Sequence, residues 1–139
     1  MKFDADCVFC KIVQKQAPSS IIYEDEYVMA FLDIRPASEG HVLVISKEHY
    51  EGILDIPSDL LGRVHQVSKR VAIAVKQALN VDGINVIQQN GRAANQEVFH
   101  IHVHVIPRHL GQKMKSLQEL QTVDYKQLGL TADKIKSFI

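Results

Sequence analysis

The chain has 139 residues, 46% of them hydrophobic, which is the length of one domain and enough to build a hydrophobic core. Its 16 basic and 16 acidic residues cancel, which disfavours nucleic acid as a partner. No apolar run approaches the roughly 20 residues that span a bilayer, and the N-terminus lacks the apolar core of a secretory signal. We therefore predict a cytoplasmic protein with no membrane partner.

Two cysteines, Cys7 and Cys10, are separated by two residues at the start of a short helical pattern. They could be spare cytosolic thiols, a redox pair or half of a zinc site. A redox pair would need the strand-then-helix context of thioredoxin, which is absent. A zinc site would need two more ligands, usually histidines, from elsewhere in the chain.

The next segments predict antiparallel strands. Residues 21–24 and 27–33 surround an acidic turn, and the second segment alternates between two sets of apolar side chains, which suits a sheet with two unlike faces. Residues 41–45 form a short apolar strand that we expect at the centre of the sheet. We interpret His41, at its start, as structural.

A long amphipathic helix is predicted after Pro57, with Ser58 as a candidate cap. Its apolar residues recur at spacings of three and four and should cover one face of the sheet, whereas His65 falls off this stripe and should be solvated. The stripe consists of Leu60, Leu61, Val64, Val67, Val71, Ala74, Val75 and Ala78. Residues 84–89 then form another strand.

A row of alternating histidines is the strongest signal in the chain. Residues 100–105 alternate histidine with β-branched residues, which predicts a half-buried strand with all three imidazoles on one face, about 6.6 Å apart. Pro107 should end its ladder. The histidines are His100, His102 and His104.

Imidazole is a costly choice for a packing face, so the row predicts either a metal site or nucleophile and acid–base machinery. The residues just upstream favour the second interpretation. Gly91 permits backbone geometry closed to other residues, and residues 92–97 offer backbone N–H groups and amide side chains next to the row. A transferring phosphoryl group needs such donors around its oxygens.

These motifs together resemble the histidine-triad superfamily of nucleotide hydrolases and transferases. The match runs over His-Ile-His-Val-His-Val-Ile-Pro-Arg (100–108), Gln-Asn-Gly (89–91) and Asn-Gln-Glu-Val (95–98), and extends to the segments 33–45 and 7–12. It covers roughly the first three-quarters of the chain and is closest to the small bacterial members. Residues 110–139 match the family motifs poorly, with helices expected near 117–120 and after Thr131, a candidate N-cap.

The resemblance implies two-step nucleotidyl transfer. His102 would attack the α-phosphorus of an adenine nucleotide conjugate, either an adenosine phosphoramidate or a dinucleoside polyphosphate, and water would then release the monophosphate. His104 would bond the phosphate or the bridging atom, and His100 would brace the row. Glu97 occupies a position where some relatives carry a hydroxyl residue beside the leaving group.

The resemblance also implies a nucleotide site. Asp33 would accept hydrogen bonds from the ribose hydroxyls, although a carboxylate at a strand end could equally be a turn residue. Core packing could equally explain the apolar residues expected around the base. The base would lie against Phe9, Ile12, Phe31 and Ile34, together with Val8. The phosphate would meet Gln89, Asn95, Gln96, Glu97, Val98 and His104.

The zinc interpretation of the cysteine pair gains its remaining ligands from the same resemblance. Carried over position by position, the site is Cys7, Cys10, His49 and His100. Two thiolates and two imidazoles make a closed tetrahedral site, which indicates a structural zinc ion rather than a catalytic one.

The implied architecture is a single α+β domain spanning 1–139, with helices and a five-stranded antiparallel sheet that continues into a twin subunit as a homodimer. Residues 110–139 would pack on the domain or on the partner, or shape the mouth of the pocket. Two other functions stay open. The histidine row could hold a catalytic metal that makes hydroxide, or the protein could bind nucleotides as a sensor or scaffold with negligible turnover.

Overall fold

A five-stranded antiparallel sheet organises the computed structural model, which describes all residues 1–139. Three α-helices and two short 3-10 helices, at Arg92–Ala94 and Leu117–Glu119, complete the α+β fold. The elements are α1 (Val8–Val13), β1 (Ile21–Glu24), β2 (Val28–Leu32), β3 (Val42–Ser46), α2 (Ser58–Leu79), β4 (Gly83–Gln88), β5 (His102–Arg108) and α3 (Tyr125–Lys136). No helix combines the length and apolar character needed to cross a membrane.

The strand order is β1-β2-β3-β5-β4, which places β3 at the centre as the sequence predicts. Ile45 pairs with His102 and Leu43 with His104, so the histidine strand lies between two neighbours over part of its length. On its other side β5 pairs with β4, from Gln88 opposite Val103 to Gly83 opposite Arg108.

Both faces of the sheet are covered. On one face, Ala30, Val44 and Val103 pack with α2 and α3 in a core cluster of 16 buried residues. On the other, Met29, Phe31 and the residues of α1 form a smaller cluster of 8. The prediction that β2 has two unlike faces is therefore confirmed. Successive side chains of a strand point to opposite faces, so neighbouring residues of β2 join different clusters.

The histidine strand differs from its prediction at both ends. β5 begins at His102, because the chain before it leaves the sheet: the Ile101 N–H donates to the Tyr50 carbonyl at 2.7 Å. Pro107 does not end the ladder. Pairing with β3 stops at Val105, so the missing N–H of Pro107 faces no strand on that side, while β4 still pairs on the other.

Two predicted helix caps are also wrong. The N-cap of α2 is Pro57 and Ser58 is already helical, with no side-chain capping bond. Thr131 lies inside α3, buried, because Asp124 caps that helix by accepting from the Gln127 N–H at 2.8 Å. His65 is exposed on α2, as expected.

The C-terminal segment packs against the rest of the chain. Leu128, Ala132 and Ile135 of α3 join the same buried cluster as the α2 stripe. The predicted turn of helix near 117–120 is the 3-10 helix Leu117–Glu119, where Ser116 and Glu119 bond each other's backbone in a capping box.

Candidate active site

A cavity of about 640 Å³ opens on the sheet face opposite α2 and α3. Its walls come from α1, from β2, β3 and β5, from the loop after β4 and from the C-terminal segment. Most of the sequence-predicted nucleotide-site residues line it together. They are Val8, Phe9, Ile12, Phe31, Asp33, Ile34, Gln89, Asn95, Glu97, Val98, His102 and His104.

His102 is held by one ring nitrogen. Its Nδ1 lies 2.7 Å from the backbone carbonyl oxygen of His100, and a carbonyl can only accept, so Nδ1 carries the proton. The lone pair is therefore on Nε2. The ring of His102 is part of the cavity wall. Burial lowers the pKa of His102, which keeps the imidazole neutral and able to act as a nucleophile.

His104 is oriented by a residue that the sequence interpretation treated as structural. The Ala37 N–H donates to Nδ1 of His41 at 3.0 Å, so neutral His41 carries its proton on Nε2. That Nε2 donates to Nδ1 of His104 at 2.9 Å, which leaves His104 with a proton on Nε2. His104 therefore offers the cavity a hydrogen-bond donor. Nothing in the sequence distinguishes His41 beyond its position at the start of a strand adjacent to the histidine strand.

The electrostatics keep both rings neutral. Burial, and then the charge of protonated His102, lower the pKa of His41 to about 4. The same causes, with His41 as a third, lower the pKa of His104 to about 3. Asp33 lies nearby, with its Oδ2 3.7 Å from Nε2 of His41 and its Oδ1 accepting from the Arg35 N–H at 2.9 Å. Burial raises the pKa of this carboxyl group.

These lowered pKa values predict how the stability of the protein depends on pH. Unfolded histidine titrates near 6.5, so between about pH 6.5 and 4 the unfolded chain binds protons that His41 and His104 refuse when folded. Above pH 6.5 these two groups should leave the free energy of unfolding unchanged. Below pH 6.5 it should fall, by roughly 3.5 kcal/mol per ring at pH 4, at 1.4 kcal/mol per pH unit.

Urea unfolding at pH 7, 6 and 5 measures this slope. His41→Leu should have a shallower slope than the wild-type protein, whereas the matched variant at an exposed histidine, His65→Leu, should keep it. An unchanged slope in His41→Leu would contradict the assignment of a neutral, buried His41.

The loop between β4 and β5 is built around Gln96. Its side-chain carbonyl accepts from the Gly91 N–H at 2.8 Å, and its amide donates to Glu51 at 2.7 Å and Val98 at 3.0 Å. Gly91 has φ +88°, as its predicted backbone freedom requires, and Asn95 is left-handed. Because its polar atoms are occupied in bracing the loop, the Gln96 side chain does not line the main cavity, in contrast to Gln89, Asn95, Glu97 and Val98.

His100 lies apart from the other two histidines. The ring centroids of His102 and His104 are 4.8 Å apart. The ring of His100 is fully buried and does not line the cavity, although Phe9 packs edge-on against both His100 and His102. His100 reaches the reaction centre through its backbone, as the acceptor for His102. Its side chain belongs to a second cluster.

That cluster joins the four residues of the predicted zinc site, Cys7, Cys10, His49 and His100, and all four are buried. The Nδ1 atom of His100 lies 3.4 Å from the Cys7 sulfur, 3.6 Å from the Cys10 sulfur and 3.2 Å from Nδ1 of His49. Tetrahedral zinc with ordinary bond lengths has ligand–ligand edges of about 3.5 Å for S to N and about 3.3 Å for N to N. The donor atoms therefore already have the spacing of a zinc site.

The surroundings prepare these donors for a metal. The Nε2 of His100 lies 2.7 Å from the Ser46 carbonyl, so this nitrogen carries the proton and Nδ1 has a free lone pair. The backbone N–H groups of Cys10 and Asp4 donate to the sulfurs of Cys7 and Cys10, each at 3.4 Å. These bonds favour the thiolates that a metal needs, whereas burial raises the pKa of Cys7 to about 11.

A second group of potential ligands, Asp33, His41 and His104, does not have this geometry. Its two imidazole nitrogens are 2.9 Å apart, a hydrogen-bond distance that is shorter than the N-to-N edge of about 3.3 Å in tetrahedral zinc. His102 belongs to neither group. The geometry thus favours a nucleophile at His102 over a metal ligand.

The sequence interpretation left open whether the C-terminal segment packs on a partner or shapes the mouth of the pocket, and the structure places it in the cavity wall. Met114, Lys115, Ser116, Leu117, Leu120 and Tyr125 all line it. The segment is fastened to the loop after β2, where Arg35 donates to the Leu117 carbonyl at 3.0 Å and the Val123 N–H donates to the Ile34 carbonyl at 2.9 Å. The mixed polar composition of residues 110–124 gave no signal of this position.

An imidazole with a free lone pair lies beside an imidazole that donates, and both line one cavity of small-molecule size, which defines a protein that uses histidines to act on a bound small molecule. The family profile described as HIT domain matches residues 14–111. The chain belongs to this family.

Named relatives include enzymes. A HIT-like protein of Methanocaldococcus jannaschii is 44% identical over 120 residues, covering 85% of this chain and 92% of that protein. The adenosine 5'-monophosphoramidase of Saccharomyces cerevisiae is 46% identical over 105 residues, covering 76% of this chain and 64% of the enzyme. An adenylylsulfatase of Arabidopsis thaliana is 38% identical over 103 residues, covering 74% and 52%.

Solved structures agree over nearly the whole chain. The Hit-like protein from Bartonella henselae superposes with a TM-score of 0.91 at 36% identity and covers 99% of both chains. A zinc-bound histidine triad family protein from Mycobacterium smegmatis has a TM-score of 0.84 at 38% identity, covering 95% of this chain and 91% of its own. These likenesses confirm the predicted family and the α+β fold with its five-stranded antiparallel sheet.

Proposed function

We propose that this protein is a nucleotide hydrolase or nucleotidyl transferase that acts at the α-phosphate of an adenine nucleotide conjugate. The observation that carries the proposal is the orientation of His102. Its Nδ1–H is bound to the His100 carbonyl, and its other nitrogen is on a ring that lines the cavity beside His104. Relatives named as a phosphoramidase and an adenylylsulfatase support a reaction at such a phosphate.

In the first step, the Nε2 lone pair of His102 forms a bond to the α-phosphorus. The bond from phosphorus to the bridging atom breaks, its electron pair goes to the leaving group, and the leaving group takes a proton from water. In the second step, water adds its oxygen to phosphorus and gives up a proton. The N–P bond breaks and its pair returns to His102, which releases the nucleoside monophosphate.

The neighbouring residues take positioning roles in this proposal. The Nε2–H of His104 donates to the phosphate or the bridging atom, since His41 fixes that tautomer. Backbone N–H groups near Asn95–Val98 and the side chain of Gln89 steady the nonbridging oxygens. Asp33 accepts from the ribose, and the apolar wall that includes Phe9 and Phe31 holds the base.

We also propose a bound zinc ion at Cys7, Cys10, His49 and His100, supported by the donor spacing and by a zinc-bound family member. When bound, it supplies a cross-link between the N-terminal turn and the segment before β5. Its role is structural, because four protein ligands leave no open position for substrate.

Mass spectrometry of His104→Ala after brief incubation with an adenosine 5'-phosphoramidate tests the mechanism. We expect a mass gain of one AMP less water, mapped by peptide analysis to His102. The adduct should persist because its hydrolysis then lacks the hydrogen bond that His104 donates to the phosphate. The double variant His102→Ala/His104→Ala should gain no mass. An adduct on another residue would overturn the assignment, and neither adduct nor AMP release in the wild-type protein would favour a nucleotide sensor.

A homodimer with a continuous sheet is the assembly we propose. β4 is an edge strand with an exposed apolar residue, Val86, which is 51% accessible, so its free backbone groups can pair with a second copy. Sedimentation should give about twice the 15.7 kDa chain mass. Val86→Pro, which removes an edge donor, should shift the population to monomers, whereas monomeric wild-type protein at high concentration would contradict the proposal.

A further inference from the structure

A shallow second pocket, the side pocket, adjoins the main cavity next to the histidine strand. Its six lining residues are Arg92, Asn95, Gln96, Glu97, Phe99 and Leu117. Three of them, Asn95, Glu97 and Leu117, also line the main cavity, so the two spaces meet along these side chains.

The side pocket adjoins the phosphate end of the cavity, where the charge of Glu97 acts on His102. In the proposed function, the base occupies the α1 and β2 walls and the phosphate lies beside His102 and His104. Attack by His102 sends the leaving group away in line with the new bond. Asn95 and Glu97 belong to the loop proposed to hold the phosphate, and with Leu117 they also line the side pocket, so a leaving group bonded to that phosphate can enter it.

The two charged residues of the side pocket, Glu97 and Arg92, form no ion pair with each other. Glu97 is exposed and takes part in none of the ion pairs or side-chain hydrogen bonds of the protein. Arg92 instead places its guanidinium carbon 5.9 Å from the centre of the Phe99 ring. Phe99 and Leu117, 37% and 43% accessible, add an apolar surface. The site thus offers a carboxylate without an ion pair and an apolar surface, with the Arg92 guanidinium held against that surface.

We propose that the side pocket is the leaving-group subsite, and that Glu97 makes it select adenylylated amines whose far end carries a positive charge. This inference rests on the proposed function and names its substrate class. A cationic group gains the carboxylate as a partner, whereas a polyphosphate or sulfate leaving group places negative charge against it. One partly exposed ion pair is worth up to about fivefold in kcat/KM.

Three adenosine 5'-phosphoramidates with equally long amine parts test the selection. They are made with 1,5-diaminopentane, hexylamine and 6-aminohexanoate, which end in an ammonium, a methyl group and a carboxylate but share the same P–N bond. We expect the wild-type kcat/KM to fall in that order, by up to about fivefold at each step. The ratios should shrink at high salt, since screening weakens exposed pairs and leaves a purely structural role unaffected.

Glu97→Gln should bring the three values close together, because the amide keeps the shape of the side chain and loses its charge. The matched control is Glu26→Gln, an exposed carboxylate in the turn between β1 and β2, which should keep the wild-type ratios. Wild-type ratios in Glu97→Gln, or equal rates in the wild-type protein, would overturn the inference alone. Failure of the wild-type protein to cleave any of the three would overturn the proposed function together with it.

Discussion

Replacement of His102 by asparagine should lower kcat for an adenosine 5'-phosphoramidate by about four orders of magnitude or more. Removal of a covalent nucleophile has effects of that size in other enzymes. Asparagine can still donate a hydrogen bond to the His100 carbonyl, so the backbone at the start of β5 keeps its partner. What is lost is the lone pair that forms the bond to phosphorus.

Chromatographic assay of AMP release measures this loss, and calorimetric titration with AMP provides the control. The binding constant should change far less than kcat, because the apolar walls and Asp33 remain in place. Turnover within tenfold of the wild-type protein would show that another group attacks the phosphate, and the proposed mechanism would fail.

The second large effect is expected at the cysteine–histidine cluster. The double variant Cys7→Ala/Cys10→Ala should lose a bound zinc ion and melt about 8–16 °C lower than the zinc-loaded protein. A ligand present at a thousandfold excess over its Kd stabilises the folded state by about 4 kcal/mol, and each kcal/mol shifts the Tm of a chain of this size by roughly 2–4 °C.

Elemental analysis and calorimetry test both parts of this prediction. His65→Ala, at an exposed histidine of α2, should keep the zinc content and the Tm. Equal melting of the double variant and the wild-type protein would contradict a structural zinc ion. Turnover should persist after chelation at temperatures where the fold survives, because His102 belongs to no ligand group, whereas a catalytic metal would make chelation abolish it.

The sheet could be predicted from the sequence because its pattern is local. Alternation in β2 and the apolar run of β3 result from the two-residue period of a strand, which exists before any tertiary contact forms. The helix stripe of α2 is equally local. The caps failed because Ser58 and Thr131 are merely suitable residue types, and which residue begins a helix depends on the chain path before it.

The candidate site was predictable where the motif itself carries the chemistry, as at His102 and His104. It was less predictable where the role depends on a partner far away in sequence. The role of His41 as a positioning residue depends on its hydrogen bond to His104, which the sequence does not show. The position of Leu117 in the cavity wall likewise depends on a hydrogen bond from Arg35. His100 shows the converse, since strand periodicity placed it beside His102 but its ring is tied to the end of β3 through Ser46.

His100 serves two structures with two different atoms. Its imidazole contacts both cysteines of the N-terminal turn, while its peptide oxygen receives the proton of the attacking ring two positions along. The N-terminal turn and the histidine strand, which are 93 positions apart at Cys7 and His100, are therefore joined at this one residue. If the first ten residues came undocked, the chain would lose more than a cross-link, because the side chain of the residue whose oxygen orients the nucleophile would lose its cysteine contacts and keep the bond to Ser46.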